Sequence, residues 1–269
     1  MKYLNLGCGT RYLETWENFD FVSTGKAVRA HNFLEGIPLP DDSYDVVYHS
    51  HVLEHLPRDN AAAFIKECFR VLKKGGVIRV VVPDLEQVMR EYLRNLDGAL
   101  AGDQEAQSRY EWIVIEMMDQ MVRQQSGGSM LKYWTRESLD NEAYVASRVG
   151  YEYLNFRKRY LAEKSTRAAN DAGNPSGFGL GKKLMTAVSG EPKASEYLQL
   201  GRFRSQGEIH QWMYDQYSLA KLLREAGFGE PKKFTAFTSN IGDWKDHQWL
   251  DVEEGNVRKP ESLFMEAIK

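Results

Sequence analysis

Two hydrophobic rhythms alternate over the first hundred residues and then give way. The runs "KYLNL" (2–6), "ENFDF" (17–21), "AVRAHNF" (27–33), "YDVVYHS" (44–50) and "VIRVVVP" (77–83) read as strands. In "YDVVYHS" the β-branched and apolar residues are nearly continuous, the pattern of a strand covered on both faces. Between and after them the period changes. "AAAFIKECFRVLK" (61–73) places Phe64, Ile65, Cys68, Phe69, Val71 and Leu72 at helical spacing, and "KKGG" (73–76) resembles a helix end with lysines in the last turn and glycine beyond. "DLEQVMREYLRNL" (84–96) predicts a second helix, with Asp84 as N-cap and Gln87 three residues on. Asp84 is better explained as that cap than as a catalytic acid. Strand–helix alternation of this kind predicts a parallel sheet flanked by helices. The pattern resumes at "SLAKLLREAGF" (218–228), a helix capped by Ser218 and closed by Gly227, followed by strands at "KKFTAFTS" (232–239) and "SLFMEAIK" (262–269) with a polar loop between them.

Residues 98–207 break the rhythm. Two long helices are expected at 106–125 and 141–164, separated by "SGGSM" (126–130), with Met117, Met118 and Met121 in their core. The glycine-rich "NDAGNPSGFGLGKK" (170–183) reads as a mobile loop. We expect 98–207 to be an insertion over the carboxyl edge of the sheet, where open α/β sheets bind ligands. It would act as lid and substrate-recognition region on a core made of 1–97 and 208–269.

Composition narrows the class. The chain has 269 residues, 42% hydrophobic and 27% charged, an ordinary globular balance, with a net charge of −3. That charge gives no reason to expect nucleic acid or an anionic membrane as a partner. Two cysteines are too few for a disulfide framework or a thiolate metal site. With neither a signal-peptide pattern nor a long apolar run, a cytoplasmic protein is expected. Charge is uneven, however. Residues 157–204 hold ten basic residues (Arg157, Lys158, Arg159, Lys164, Arg167, Lys182, Lys183, Lys193, Arg202, Arg204) against four acids, locally +6 in a chain of −3. This is either a solvated helix face or a feature that recognises an anionic acceptor.

The candidate chemistry starts at "LNLGCGT" (4–10), where a Gly-x-Gly turn after a strand lets a ligand approach the backbone. A dinucleotide fingerprint would need a third glycine where Tyr12 stands and an acid about 20 residues on. The acid here is Asp20, which disfavours a nicotinamide-dependent oxidoreductase. The ordered array "LNLGCG", "WENFDF", "HNFLEGIPLPDDSYDVVYHSHVLEHL" and "RVLKKGGVIRVVVPDLE" resembles the class I S-adenosylmethionine-dependent methyltransferases, nearest to the bacterial "methyltransferase type 11" group. "HQWMYDQYSLAKLLREAGF" (210–228) is similar to that group's last helix. The resemblance covers residues 1–97 and 208–269. It implies an α/β fold, a Rossmann-like seven-stranded, mostly parallel sheet whose last strand is antiparallel, with flanking helices and the helical insertion after the fifth strand.

The resemblance also implies residue roles. Gly7, Cys8 and Gly9 would lie under the methionine part of S-adenosylmethionine, Asp20 would accept from the ribose hydroxyls, Asn32 and Phe33 would contact adenine, and His49 and Ser50 would approach the methionine end. Asn5 stands where the family usually has an acid, and Asn32 where an aspartate is common. The implied function is O-methylation of a small-molecule or sugar acceptor, with an oligomer left open. The rivals are a metal-assisted RNA 2′-O-methyltransferase and a non-catalytic cofactor-binding protein.

"YHSHVLEHL" (48–56) holds three of the six histidines. It is expected to be a strand end and packing helix without a metal. His51 and His210 are candidate bases, histidine being the common base near neutral pH. In the ubiquinone and small-RNA methyltransferase branches a Glu-x-x-Glu-His here, with a later histidine, holds a divalent metal. The matching positions are His51, Glu54, His55 and His210, and His51 replaces the first glutamate.

Overall fold

The computed structural model describes residues 1–172 and 194–269. Seven strands form one sheet: β1 (Tyr3–Leu6), β2 (Glu17–Asp20), β3 (Val28–Ala30), β4 (Tyr44–Ser50), β5 (Leu72–Pro83), β6 (Lys232–Phe234) and, after a short β7–β8 hairpin (Val252–Glu253, Asn256–Val257), β9 (Ser262–Ile268). Their spatial order is β3-β2-β1-β4-β5-β9-β6. The first five pair in parallel, and β9 runs antiparallel to both β5 and β6. This is the expected Rossmann-like sheet. Both faces are covered. Helices α1 (Arg58–Val71) and α8 (Gln216–Glu225) bury one face with Val47, Ile78, Phe64, Cys68 and Leu219. The other face carries Trp16, Val46, Tyr48, Val81 and Trp244, the last from the short helix α9 (Trp244–His247). Alternate residues of β4 therefore go to opposite cores, as a period of two requires.

Several boundaries differ from expectation for local reasons. Helix α1 begins at Arg58, because "VLEH" forms only a 3-10 turn, Leu53–His55. "KKGG" opens β5 instead of closing a helix: Leu72 already pairs with Tyr44, and Gly75 N donates to Lys269 O at 2.8 Å. The strand expected at 27–33 ends at Ala30, since the Asn32 side chain caps a 3-10 turn by accepting from Leu34 N. Asp215, not Ser218, is the N-cap of α8, and Ser218 completes a capping box. Asp84 caps helix α2 (Leu85–Leu100) as expected, accepting from Glu86 N and Gln87 N.

Between α2 and residue 208 lie α3 (Gln104–Val122), α4 (Gly128–Trp134), α5 (Glu142–Val149), α6 (Tyr151–Ala172) and α7 (Ala194–Ser205). The single helix expected at 141–164 is two, broken at Gly150. There φ is +68°, and a Cβ would come within 2.4 Å of Arg258 O. Only glycine permits that approach. These helices have their own core of Trp112, Met130, Tyr133, Trp134, Val145, Val149 and Tyr153. Most of the glycine-rich stretch 170–183, with Lys182, Lys183 and Lys193, lies outside the described residues. Among the described residues, no helix is long and apolar enough to cross a membrane.

Candidate active site

β1 runs into the Gly-Cys-Gly turn at the carboxyl edge of the sheet. The two glycines are required for different reasons. At Gly7, φ is +67° and a Cβ would sit 2.2 Å from Val52 Cγ2, so the turn packs directly on the segment after β4. At Gly9, φ is +53° but the space in front is open. Gly7 N and Cys8 N donate to Phe19 O, and Gly9 N donates to Asp20 Oδ2 at 2.7 Å. Asp20 thus stands at the end of β2 as expected and also fixes the turn.

A cavity of about 250 Å³ faces this turn. Asn5, Gly7, Cys8, Gly9 and Ser50 line it from the sheet side, all five expected cofactor-site positions. Asn5 is buried and its Oδ1 has no partner. Burial pushes the Cys8 thiol up to about 12, so it is not a nucleophile. Glu152 at the start of α6, Leu250, Arg258 and Lys259 cover the cavity from above. None of these four was found by pattern. Arg11, also at the wall, is held by Trp249 O (2.8 Å) and Val252 O (2.9 Å) and stacks on Trp249.

Four expected cofactor residues do not line this cavity: Asp20, whose carboxylate is taken up by Gly9 N, and His49, Phe33 and Asn32. His49 points into the opposite core, because it is one residue out of phase with Tyr48 and Ser50. Its ring packs 5.2 Å from Phe64, neither nitrogen has a partner, and burial lowers its pKa to about 4. Phe33 is buried against Phe21 and Phe64. Asn32 spends its side chain on Leu34 N and Glu35 Oε1.

A second cavity, about 420 Å³, lies beside the first and shares His51, Glu152 and Lys259 with it. Its floor is histidine-rich: His51, His55 and His210. Its roof comes from α3 to α5, with Met117, Met121, Met130, Trp134 and Val149. Met117 and Met121 are therefore wall residues, and Met118 is exposed. The basic residues of 157–204 that are described lie elsewhere. Arg157 is buried and donates to three backbone carbonyls of Trp134, Arg136 and Glu137, and Lys164 pairs with Glu137 at 2.8 Å. The cations at the walls are Arg123 and Lys259, facing Glu208 (2.9 Å) and Glu152 (3.6 Å).

The histidine floor is assembled across a large sequence distance. Gln211 N and Trp212 N both donate to Glu54 O, at 2.6 and 3.2 Å, which seats residues 209–212 on the Leu53–His55 turn. His55 and His210 then meet edge to face, 4.7 Å between ring centroids. His51 follows β4 with a left-handed φ of +54°, which is uncommon for a residue other than glycine. That geometry turns its Nδ1 to 3.1 Å from Glu54 Oε1 and its Nε2 to 2.9 Å from Ser262 Oγ. Burial lowers the pKa of His210 to about 3 and lowers that of His51, so both are neutral near pH 7. Burial opposes the charge on Glu54, but the His51 contact and, at acid pH where they are protonated, the charges on His51, His55 and His210 outweigh it and hold the carboxyl below its ordinary value.

Residues 17–80 match the family model of a methyltransferase domain. A stretch of 54 residues is 50% identical to a Mycolicibacterium smegmatis protein named "Probable S-adenosylmethionine-dependent methyltransferase", and 51 residues are 45% identical to a Mycobacterium tuberculosis protein of that kind. Residues 17–80 are therefore methyltransferase-like in sequence. The methyltransferase match is local: the two alignments cover 20% and 19% of this chain and only 20% and 18% of the relatives. A Thermotoga maritima structure described as a "SAM-dependent methyltransferase, possible histamine N-methyltransferase" aligns over 100% of this chain and 82% of that one, at 15% identity and a TM-score of 0.43. That likeness adds no weight to the methyltransferase assignment, which rests on the sequence matches and the observed sheet.

Proposed function

We propose that the protein binds S-adenosylmethionine against the Gly-Cys-Gly turn and transfers its methyl group to an oxygen of a small hydroxylated acceptor, a sugar or another small molecule. The junction of the two cavities carries this reading. The smaller one is walled by glycine backbone suited to the cofactor, and it shares His51, Glu152 and Lys259 with a larger one suited to an acceptor. In the transfer, the sulfonium S–C bond breaks, an O–C bond forms, and the acceptor proton leaves. Much of the rate then comes from alignment. Our candidates for receiving the proton are His51 and His210, which line the larger cavity and whose pKa values burial lowers. Helices α3 to α5, which roof the larger cavity, would select the acceptor.

An anionic acceptor draws less support from the walls than from composition, because Arg123 and Lys259 already face glutamates while Glu116 and Glu261 also line the larger cavity. A neutral polyhydroxylated acceptor fits them better. The same observation weighs against the RNA reading, since none of the described basic residues of 157–204 lines either cavity. The test is calorimetry followed by label transfer. S-adenosylhomocysteine should bind, and methyl-labelled cofactor should mark members of a panel of sugars, sugar nucleotides and phenols in an O-methyl linkage. Binding of NADH in place of S-adenosylhomocysteine would sink the assignment. Label appearing only on nitrogen would sink the O-methylation.

A further inference from the structure

The side chains of the histidine floor have an arrangement that proton transfer alone does not explain. Glu54 is fully buried, and neither of its carboxylate oxygens has a well-formed hydrogen bond; the His51 contact is close but poorly aligned. A buried carboxylate without partners is costly, and such groups are retained where they pair with a cation or bind a metal. Ligand atoms of Glu54, His55 and His210 lie within 4.8 Å of one another. An ion with bonds of about 2.1 Å would need them roughly 3.0–3.5 Å apart, so the widest pair would close by up to about 1.3–1.8 Å on binding.

We propose that Glu54, His55 and His210 bind one divalent transition-metal ion, with its open coordination side facing the larger cavity. The surrounding hydrogen bonds fit that role. His55 Nδ1 is 3.2 Å from Ile209 O, and a carbonyl can only accept. The proton is therefore fixed on Nδ1, and Nε2 is left with a free lone pair. Donation from the second ring nitrogen to a carbonyl is how ligating histidines are usually oriented. His51 is a positioning residue for Glu54, itself braced by Ser262 Oγ at 2.9 Å. Two imidazoles and one carboxylate suit Zn²⁺, Fe²⁺, Co²⁺ or Mn²⁺ and suit Mg²⁺ poorly, since Mg²⁺ takes oxygen ligands. A further ligand would be an oxygen of water or of the acceptor. The inference moves His210 from proton acceptor to ligand. It does not depend on methyl transfer, because metal binding is read without cofactor or acceptor.

The test uses full-length protein without a polyhistidine tag, stripped with chelator and titrated with Zn²⁺ and with Co²⁺. We expect one equivalent by calorimetry, a Co²⁺ visible absorption band, and a rise in melting temperature with added Zn²⁺. Glu54→Gln and His210→Asn should each weaken binding at least 100-fold, and His51→Ala by roughly 10–100-fold, the usual range for a residue that orients a ligand. Failure of the wild-type protein to bind either Zn²⁺ or Co²⁺ overturns the proposal whatever the variants do. So does unchanged affinity in either triad variant. Where one of these variants does not fold, as judged by circular dichroism with chelator present, the other decides.

Discussion

The two cavities share a wall but are built from different materials. The smaller is mostly backbone: a turn with two left-handed glycines, stitched to β2 by Phe19 O and Asp20. The larger is mostly side chain, brought together from the end of β4, the helices α3 to α6, residues 208–213 and the loop before β9. A backbone site is specified by one short stretch and tolerates little change. A side-chain site is specified by how distant stretches pack, and its walls can change one residue at a time.

The strongest way to break this contrast is to remove what ties the two halves together. Arg79 is buried on β5 and bonds Asp251 (2.8 Å) in the covering loop and Glu266 (2.6 Å) on β9. Arg79→Met should cost about 3–5 kcal/mol by leaving two buried carboxylates unpaired, read by urea denaturation. A change below 1 kcal/mol would mean the loop is held by other contacts. Next comes the turn. Gly7→Ala should destabilise by about 2–3 kcal/mol through overpacking on Val52 and backbone strain. Gly9→Ala meets only the backbone strain, about 1 kcal/mol. Equal losses would show that space at Val52 is not what selects glycine. The third prediction concerns affinity. Asp20→Ala should weaken S-adenosylhomocysteine binding by about 1–3 kcal/mol, because it removes hydrogen bonds to a charged group and frees Gly9 N, with calorimetry as the readout.

The last prediction belongs to the larger cavity. Burial raises the Glu261 carboxyl to about 8 against an ordinary 4.5, although Lys259 opposes the shift. The folded protein then holds a proton that the unfolded chain has released. Stability should fall as pH rises from about 5 to about 8 and level off above. Glu261→Gln, melted in chelator, should flatten that slope and be the more stable protein at the alkaline end. An unchanged pH profile would show that this carboxyl is ionised and solvated.

Much of the backbone site was readable from sequence because its signals are local. Apolar runs marked β1, β4 and β5, helical spacing marked α1 and α2, and the Gly-Cys-Gly turn sits where a strand ends. The misreadings were also local. Apolar spacing runs straight through Gly150, and only the approach of Arg258 O shows why the helix must break there. His49 was placed at the cofactor by its position, but the pleat sends its side chain to the other face. In the larger cavity, His51 and His210 were readable as chemistry but not as neighbours, since their meeting depends on Glu54 O accepting from Gln211 N and Trp212 N. Glu152, Arg258 and Lys259 gave no signal at all. Arg258 and Lys259 sit in a loop, which carries no periodicity, Glu152 is one charged position in the first turn of α6, and their place at the cavity appears only once the chain has folded back over the sheet.

The path of the chain out of the sheet and back has a further consequence. Departure and return are in contact: Leu85 N donates to Tyr214 O at 2.9 Å, and Asp84 bridges to Tyr214. Everything between them is a loop in the topological sense, closed at its neck by backbone hydrogen bonds. The entropy of closing such a loop grows only with the logarithm of its length. The neck therefore insulates the sheet from what hangs on it. Provided that Gly150 to Glu152 keep their contacts with Arg258 and Lys259, helices could be lengthened, shortened or exchanged between residues 86 and 208 at little cost in closure entropy, giving a differently shaped second chamber beside the same cofactor turn.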